Sequence, residues 1–114
     1  MTQMPDTTFP CEVVSGVPVV LTPEEIDITN ADGLQAALRD AFGQGPGRLV
    51  VDMSRTQFCD TAGLHALVGA HKRALAQGGE VRVVISGTAV RRIFALTGLD
   101  QVIPSFTSLR EALR

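Results

Sequence analysis

An aspartate beside a threonine, Asp60-Thr61, is the pair in this 114-residue chain best placed to do chemistry. A carboxylate accepts hydrogen bonds. A hydroxyl donates one, accepts two, and can be covalently modified. Their surroundings give the pair a position. Leu49-Val50-Val51 is a short apolar run that closes on Asp52-Met53, and the polar link Ser54-Arg55-Thr56-Gln57 follows. From Phe58-Cys59-Asp60-Thr61-Ala62-Gly63-Leu64 onward, Leu64, Leu67, Val68, His71 and Leu75 recur at helical spacing on one face. The pattern predicts a buried strand, a loop, then a helix. Asp60 is the expected N-cap, because Cys59 and Leu64 then occupy the two positions of a hydrophobic staple. Thr61 falls at the first helical position, beside the free N–H groups at the positive end of the helix. Spacing alone gives a capped helix after a strand. Gly63 has two readings that can both hold: the first turn has no side chain there, and a side chain would obstruct partner approach to Thr61.

Other chemistries find no support in the residues. Cys11 and Cys59 form neither a metal-ligand pair nor a Cys-x-x-Cys motif, and read as free thiols of a reducing compartment. His71 lies on the apolar helix face and His65 off it, with no ligand cluster near either in sequence, so neither is read as catalytic. Gly43-Gln44-Gly45-Pro46-Gly47 looks like a phosphate loop, but it follows a helix and lacks Gly-Lys-Ser/Thr. Asp52 at a strand end has the position of a receiver-domain phosphoacceptor, yet the acidic pair and distal lysine of such a site are not evident. Arg91-Arg92 reads as a solvated helix face. No nucleophile–base pair, metal cluster or cofactor fingerprint points to an enzyme.

Composition narrows the partners. A net charge of -2 gives no electrostatic reason to expect nucleic acid, and 4% aromatics with no Trp or Tyr leaves no stacking platform for bases. No apolar run is long enough to span a bilayer, and residues 1–6 lack the regions of a secretory signal. A cytoplasmic location is expected.

The elements that must hold Asp60 and Thr61 can be taken in order. Residues 1–8 are polar and read as a flexible arm, leaving one domain over 9–114. Glu12-Val13-Val14 and the run from Val17 to Leu21 read as strands joined at a tight Ser15-Gly16 turn, with Pro18 arguing for a strand start or a nearby edge. Residues 22–28 read as a loop. Thr29-x-x-Asp32 reads as a capping box for a helix bearing Leu34, Ala37, Leu38, Ala41 and Phe42. Residues 43–47 stop that helix. Gly78-Gly79 ends the next one, and Val81, Val83, Val84 and Ile85 form a strand. Ser86-Gly87-Thr88 opens a helix with Val90, Ile93 and Phe94 inward, closed by Gly98 with Leu99 folding back. Val102-Ile103 reads as a last short strand, and Ser108-x-x-Glu111 caps a terminal helix with Leu109, Ala112 and Leu113. A hairpin followed by helix–strand alternation predicts an α/β fold with a mostly parallel sheet. The loops at 27–29, 60–63 and 86–88 then gather on one edge, where ligands and partners dock.

The seven residues Phe58 to Leu64 resemble the Phe-x-Asp-Ser-x-Gly-Leu signature of the STAS-domain anti-sigma factor antagonists. Glu25-Ile26-Asp27 resembles that family's Gly-Glu-Leu-Asp segment, with Glu24 where the family has glycine. The segment from Val90-Arg91-Arg92-Ile93-Phe94 to Thr97-Gly98-Leu99 is similar as well. The resemblance implies a single STAS-like domain: a mixed, mostly parallel sheet of four to five strands with about four helices. It implies a binding module with no cofactor, whose partner is an anti-sigma factor that is itself a protein kinase. Unphosphorylated, the module docks on that partner and frees a sigma factor. Phosphorylated at Thr61, it does not, and a phosphatase resets it. Asp60, Thr61, Ala62 and Gly63, with Asp27 and Thr29, are the implied partner-binding residues. Ala62 removes the second hydroxyl that often follows in the family. The alternative within the same fold is a non-switching adaptor, or a small-ligand-binding domain, in which Thr61 is only part of a cap.

Overall fold

The computed structural model describes residues 9–43 and 47–114. Strand β1 (Cys11–Val14) and β2 (Val17–Leu21) form the expected hairpin. Its turn residues Ser15 and Gly16 both have positive φ, +52° and +80°, as a two-residue turn matched to strand twist requires. A short β3 (Glu25–Ile26) follows, then helix α1 (Ala31–Phe42), β4 (Arg48–Met53), β5 (Phe58–Cys59) and α2 (Thr61–Ala76). The chain continues as β6 (Glu80–Ile85), α3 (Thr88–Thr97), a 3₁₀ turn at Leu99–Gln101, β7 (Ser105–Phe106) and α4 (Leu109–Ala112).

The main sheet runs β1-β2-β4-β6-β7, with only the β1–β2 pair antiparallel. Because strands alternate faces, the burial pattern assigns the layers. Val20, Leu49, Val51, Met53, Val81, Val83 and Ile85 pack with Leu34, Leu38, Leu67, Val90 and Phe94, so α1, α2 and α3 cover one face. Val17, Val19, Val50 and Val84 point the other way, under Ala112 of α4. Two arginines hold that small lid in place. Arg48 Nη1 donates to the Leu113 carbonyl (3.0 Å), and Arg82 Nη1 donates to that of Ala112 (3.1 Å). The helix α2 ends as Gly78-Gly79 predicts. Gly78 takes φ +79°, and the amides of Gly79 and Gly78 bond back to the carbonyls of Ala74 and Leu75.

Four local readings are corrected. The stretch 22–28 is not all loop, and the loop expected between the strand at Leu49–Met53 and the following helix contains a further short strand: β3 and β5 pair in parallel as a separate two-stranded sheet. Two-residue strands carry no periodicity, so sequence cannot announce them. The expected capping box at Thr29 and Asp32 does not form. Asn30 holds the N-cap position without a side-chain cap bond, its amide group being spent on the preceding loop. Val102-Ile103 is not a strand. The 3₁₀ turn after Gly98 uses up chain first, leaving Val102 exposed and Ile103 buried, and pairing with β6 starts only at Ser105. Finally, Leu75 is exposed and Ala74 lies inside in its place. The inner stripe of α2 is built largely of small residues, Gly63, Ala66, Ala70 and Ala74, which a search for large apolar side chains overlooks. The expected arm at 1–8 lies outside the described residues, as does most of the stretch expected to stop α1, 44–46.

Candidate functional site

The β3–β5 pair sets the geometry around Thr61. Its register places Ile26 opposite Cys59, so the residues that follow each strand, Asp27 and Asp60, leave side by side. The Asp60 amide donates to the Ile26 carbonyl (3.0 Å), and the amides of Gln57 and Phe58 both donate to the carbonyl of Glu24 (2.7 and 3.1 Å). Below the pair lies a buried polar knot that the sequence did not single out. Thr56 Oγ1 donates to the Pro23 carbonyl (2.6 Å) and meets Thr22 Oγ1 at 2.5 Å, while the Thr22 amide donates to the Asp52 carbonyl. Thr22 and Thr56 are both buried. The only sequence signal for this knot is a hydroxyl at the end of each flanking segment. A Thr56→Val chain keeps the shape and leaves the Pro23 carbonyl without its donor, while Thr22 Oγ1 keeps the Asp52 carbonyl (3.3 Å). It is expected to lose about 1–3 kcal/mol of stability in urea unfolding.

Asp60 is the N-cap of α2, in extended conformation (φ -87°, ψ -176°). Its Oδ1 accepts from the amides of Ala62 (2.9 Å) and Gly63 (3.2 Å). Cys59 and Leu64, the staple pair, are both in the core. Burial, with the Asp60 carboxylate adding, pushes the Cys59 thiol up to about 12, so this sulfur stays protonated and unreactive at neutral pH. Thr61 is exposed, and among the described residues its hydroxyl has no hydrogen-bond partner. Ala62 is half-buried. Gly63 turns inward: a methyl built on it would lie 2.6 Å from Cys59 Sγ and 2.7 Å from Ile26 Cγ2. The packing reading of Gly63 thus has a geometric basis. Its place is beneath the site.

Asp27 and Thr29 form the neighbouring turn. Asp27 Oδ1 accepts from both the amide and the hydroxyl of Thr29. These bonds, the hydroxyl's first, hold the Asp27 carboxyl below its ordinary value of 3.8. A folded-state value below the unfolded one stabilises the fold above that range and is lost as pH falls through it. In a Thr29→Val chain, the Asp27 carboxyl is therefore expected to titrate closer to 3.8, read by carbon-detected NMR. The third loop lies against the link that leads into β5, where a methyl added at Gly87 would lie 3.0 Å from the Thr56 carbonyl oxygen. Ser86 and Thr88 beside it are exposed. The first two loops thus share one rim, set by the small β3–β5 sheet, and the third lies against the link below it.

His71 is buried and accepts the Val81 amide at Nδ1 (3.4 Å), a core role, and His65 is exposed. Among the described residues no group of three His, Cys, Asp or Glu side chains could hold a metal ion. No helix among them is long and apolar enough to cross a membrane.

Residues 8–112 match the model of the STAS domain family. The chain belongs to the STAS domain family. Its relatives carry the name the signature suggests. The domain is 32% identical over 99 residues to the anti-sigma-F factor antagonist RsfB of Mycobacterium tuberculosis, covering 87% of this chain and 80% of that one. The crystal structure of an anti-sigma factor antagonist from Mycobacterium paratuberculosis superposes with a TM-score of 0.84 at 34% identity, over 98% of this chain and 96% of that one. The fold is also that of the anti-sigma factor antagonist SpoIIAA in its unphosphorylated form (TM-score 0.77, 22% identity, 92% of each chain). These STAS relatives are binding proteins rather than enzymes.

Proposed function

We propose that this STAS domain is an anti-sigma factor antagonist switched at Thr61. Unphosphorylated, it docks its rim on a kinase-type anti-sigma factor and so frees a sigma factor. Phosphorylated on the Thr61 hydroxyl, it no longer docks, and a phosphatase restores it. Asp60, Thr61 and Ala62, with Asp27 and Thr29, form the contact surface, and Gly63 shapes it from below.

One observation carries this reading. Thr61 Oγ1 stands exposed at the start of α2, while the cap is satisfied by its neighbour Asp60. Capping therefore does not use the threonine hydroxyl, which is free to be modified. Phosphorylation would add about -1.5 to -2 charges there. The helix N-terminus tolerates such a group, so the domain stays folded, while the adjacent carboxylate of Asp60 repels it. The names of the relatives, antagonists of anti-sigma factors at 32% and 34% identity, support the partner class.

The test is to incubate the full chain with each kinase-type anti-sigma factor of the same organism and ATP, and to map phosphate by mass spectrometry. Modification at Thr61 alone, and binding by Thr61→Ala, support the reading. Modification elsewhere, or none, overturns it.

A further inference from the structure

We infer that Ile28 is the apolar anchor of this docking surface and seats in an apolar pocket of the anti-sigma factor, an inference that rests on the reading of the rim given above. Ile28 leaves 79% of its surface in solvent. A single exposed aliphatic residue is ordinary, but this one is carried on a turn closed by hydrogen bonds. Its neighbours are pinned: the Asp27 carboxylate takes the amide and hydroxyl of Thr29, and the Asp27 carbonyl takes the amides of Asn30 and Ala31. The Asn30 side chain closes the turn, accepting the Asp27 amide and donating to the Glu25 carbonyl, each at 2.9 Å. The turn is ordered before any partner arrives, so contact made by Ile28 is not offset by loop ordering.

Its place matters as much as the turn that carries it. Ile28 follows β3 by two residues, and β3 is paired with the strand that leads into Asp60 and Thr61. Phe58, 47% exposed and opposite Glu25, adds a second apolar surface on the same small sheet. Interfaces draw most of their affinity from a few desolvated side chains ringed by polar groups that exclude water. Asp27 and Thr29 flank Ile28 with such polar groups, in a turn that the β3–β5 pairing sets beside Asp60. Leu96 is just as exposed, at 79%. It lies eight residues into α3, roughly 12 Å along the helix from the end that lies against the link into β5. It is therefore a matched control.

The experiment measures binding of the full chain to the anti-sigma factor that phosphorylates Thr61, together with steady-state phosphorylation. Ile28→Ala is expected to raise Kd roughly 10- to 50-fold, chiefly through faster dissociation. KM for phosphorylation rises with it while kcat and the thermal unfolding midpoint stay unchanged. Ile28→Val recovers most of the loss, and Leu96→Ala changes nothing. If Ile28→Ala binds like wild type while Thr61→Glu does not, the anchor is refuted and the switch stands. If Thr61→Glu binds like wild type while Ile28→Ala does not, the switch falls and the anchor stands. If no anti-sigma factor binds the wild-type chain, both fall. If sedimentation shows a dimer that Ile28→Ser dissociates, the occupant is a second copy of this chain, and the inference is overturned.

Discussion

A Thr61→Glu chain is expected to bind its anti-sigma factor at least 30-fold more weakly than wild type, with the folded domain intact. Docking desolvates the rim, and an imperfectly paired charge buried there costs on the order of 2–5 kcal/mol. That range corresponds to roughly 30- to several-thousand-fold in affinity. Glutamate carries one charge where a phosphate carries nearly two, so the phosphorylated chain should sit further along the same scale. Surface plasmon resonance on wild type, Thr61→Glu and enzymatically phosphorylated protein would rank them. The fold should not change, because Thr61 is exposed and the cap depends on Asp60. Equal affinity for all three would mean that the hydroxyl lies outside the interface, and that the domain is a constitutive adaptor.

Two glycines of the same helix should respond to alanine with opposite sign. Within a helix, replacing glycine by alanine gains up to about 1 kcal/mol. At Gly69 the nearest obstacle to a methyl is the flexible end of Arg73, at 3.4 Å, so Gly69→Ala is expected to stabilise by nearly that amount. At Gly63 the methyl meets Cys59 Sγ at 2.6 Å and Ile26 Cγ2 at 2.7 Å, both buried and both in the β3–β5 pair. Overpacking of this kind costs about 1–3 kcal/mol, and the gain at the first turn does not offset it. Gly63→Ala should lower the urea midpoint, and adding Cys59→Ala, which removes one of the two obstacles, should recover part of the loss. A Gly63→Ala chain as stable as wild type would show that the start of α2 is not seated on Ile26 and Cys59.

The elements with strong periodicity were legible. The valine-rich hairpin, the three long helices and strands β4 and β6 stand where apolar spacing and glycine stops put them. The Asp60 cap was legible too, because a staple on either side fixes which of two polar residues caps. The failures share a cause. β3, β5 and β7 are two residues long and are defined by backbone partners rather than by pattern. Asn30 was overlooked because a capping motif one residue earlier looked complete, and only the folded chain shows its amide group bridging Glu25 and Asp27. Thr22 and Thr56 are 34 residues apart and meet only in three dimensions. Ile28 reads in sequence as one more apolar residue of a loop, and its exposure is visible only once Ile26 has taken the inward place.

The small β3–β5 sheet, fastened to the Thr22–Thr56 knot, has a bearing on how information is stored. Two rim segments distant in sequence are locked together by main-chain bonds that a phosphoryl group on Thr61 would not touch. On the proposed reading, the on and off forms share one shape, and the record of which is which is covalent. Such a memory does not fade by thermal relaxation. It lasts until an enzyme erases it, so the lifetime of the signal belongs to the phosphatase and not to this domain.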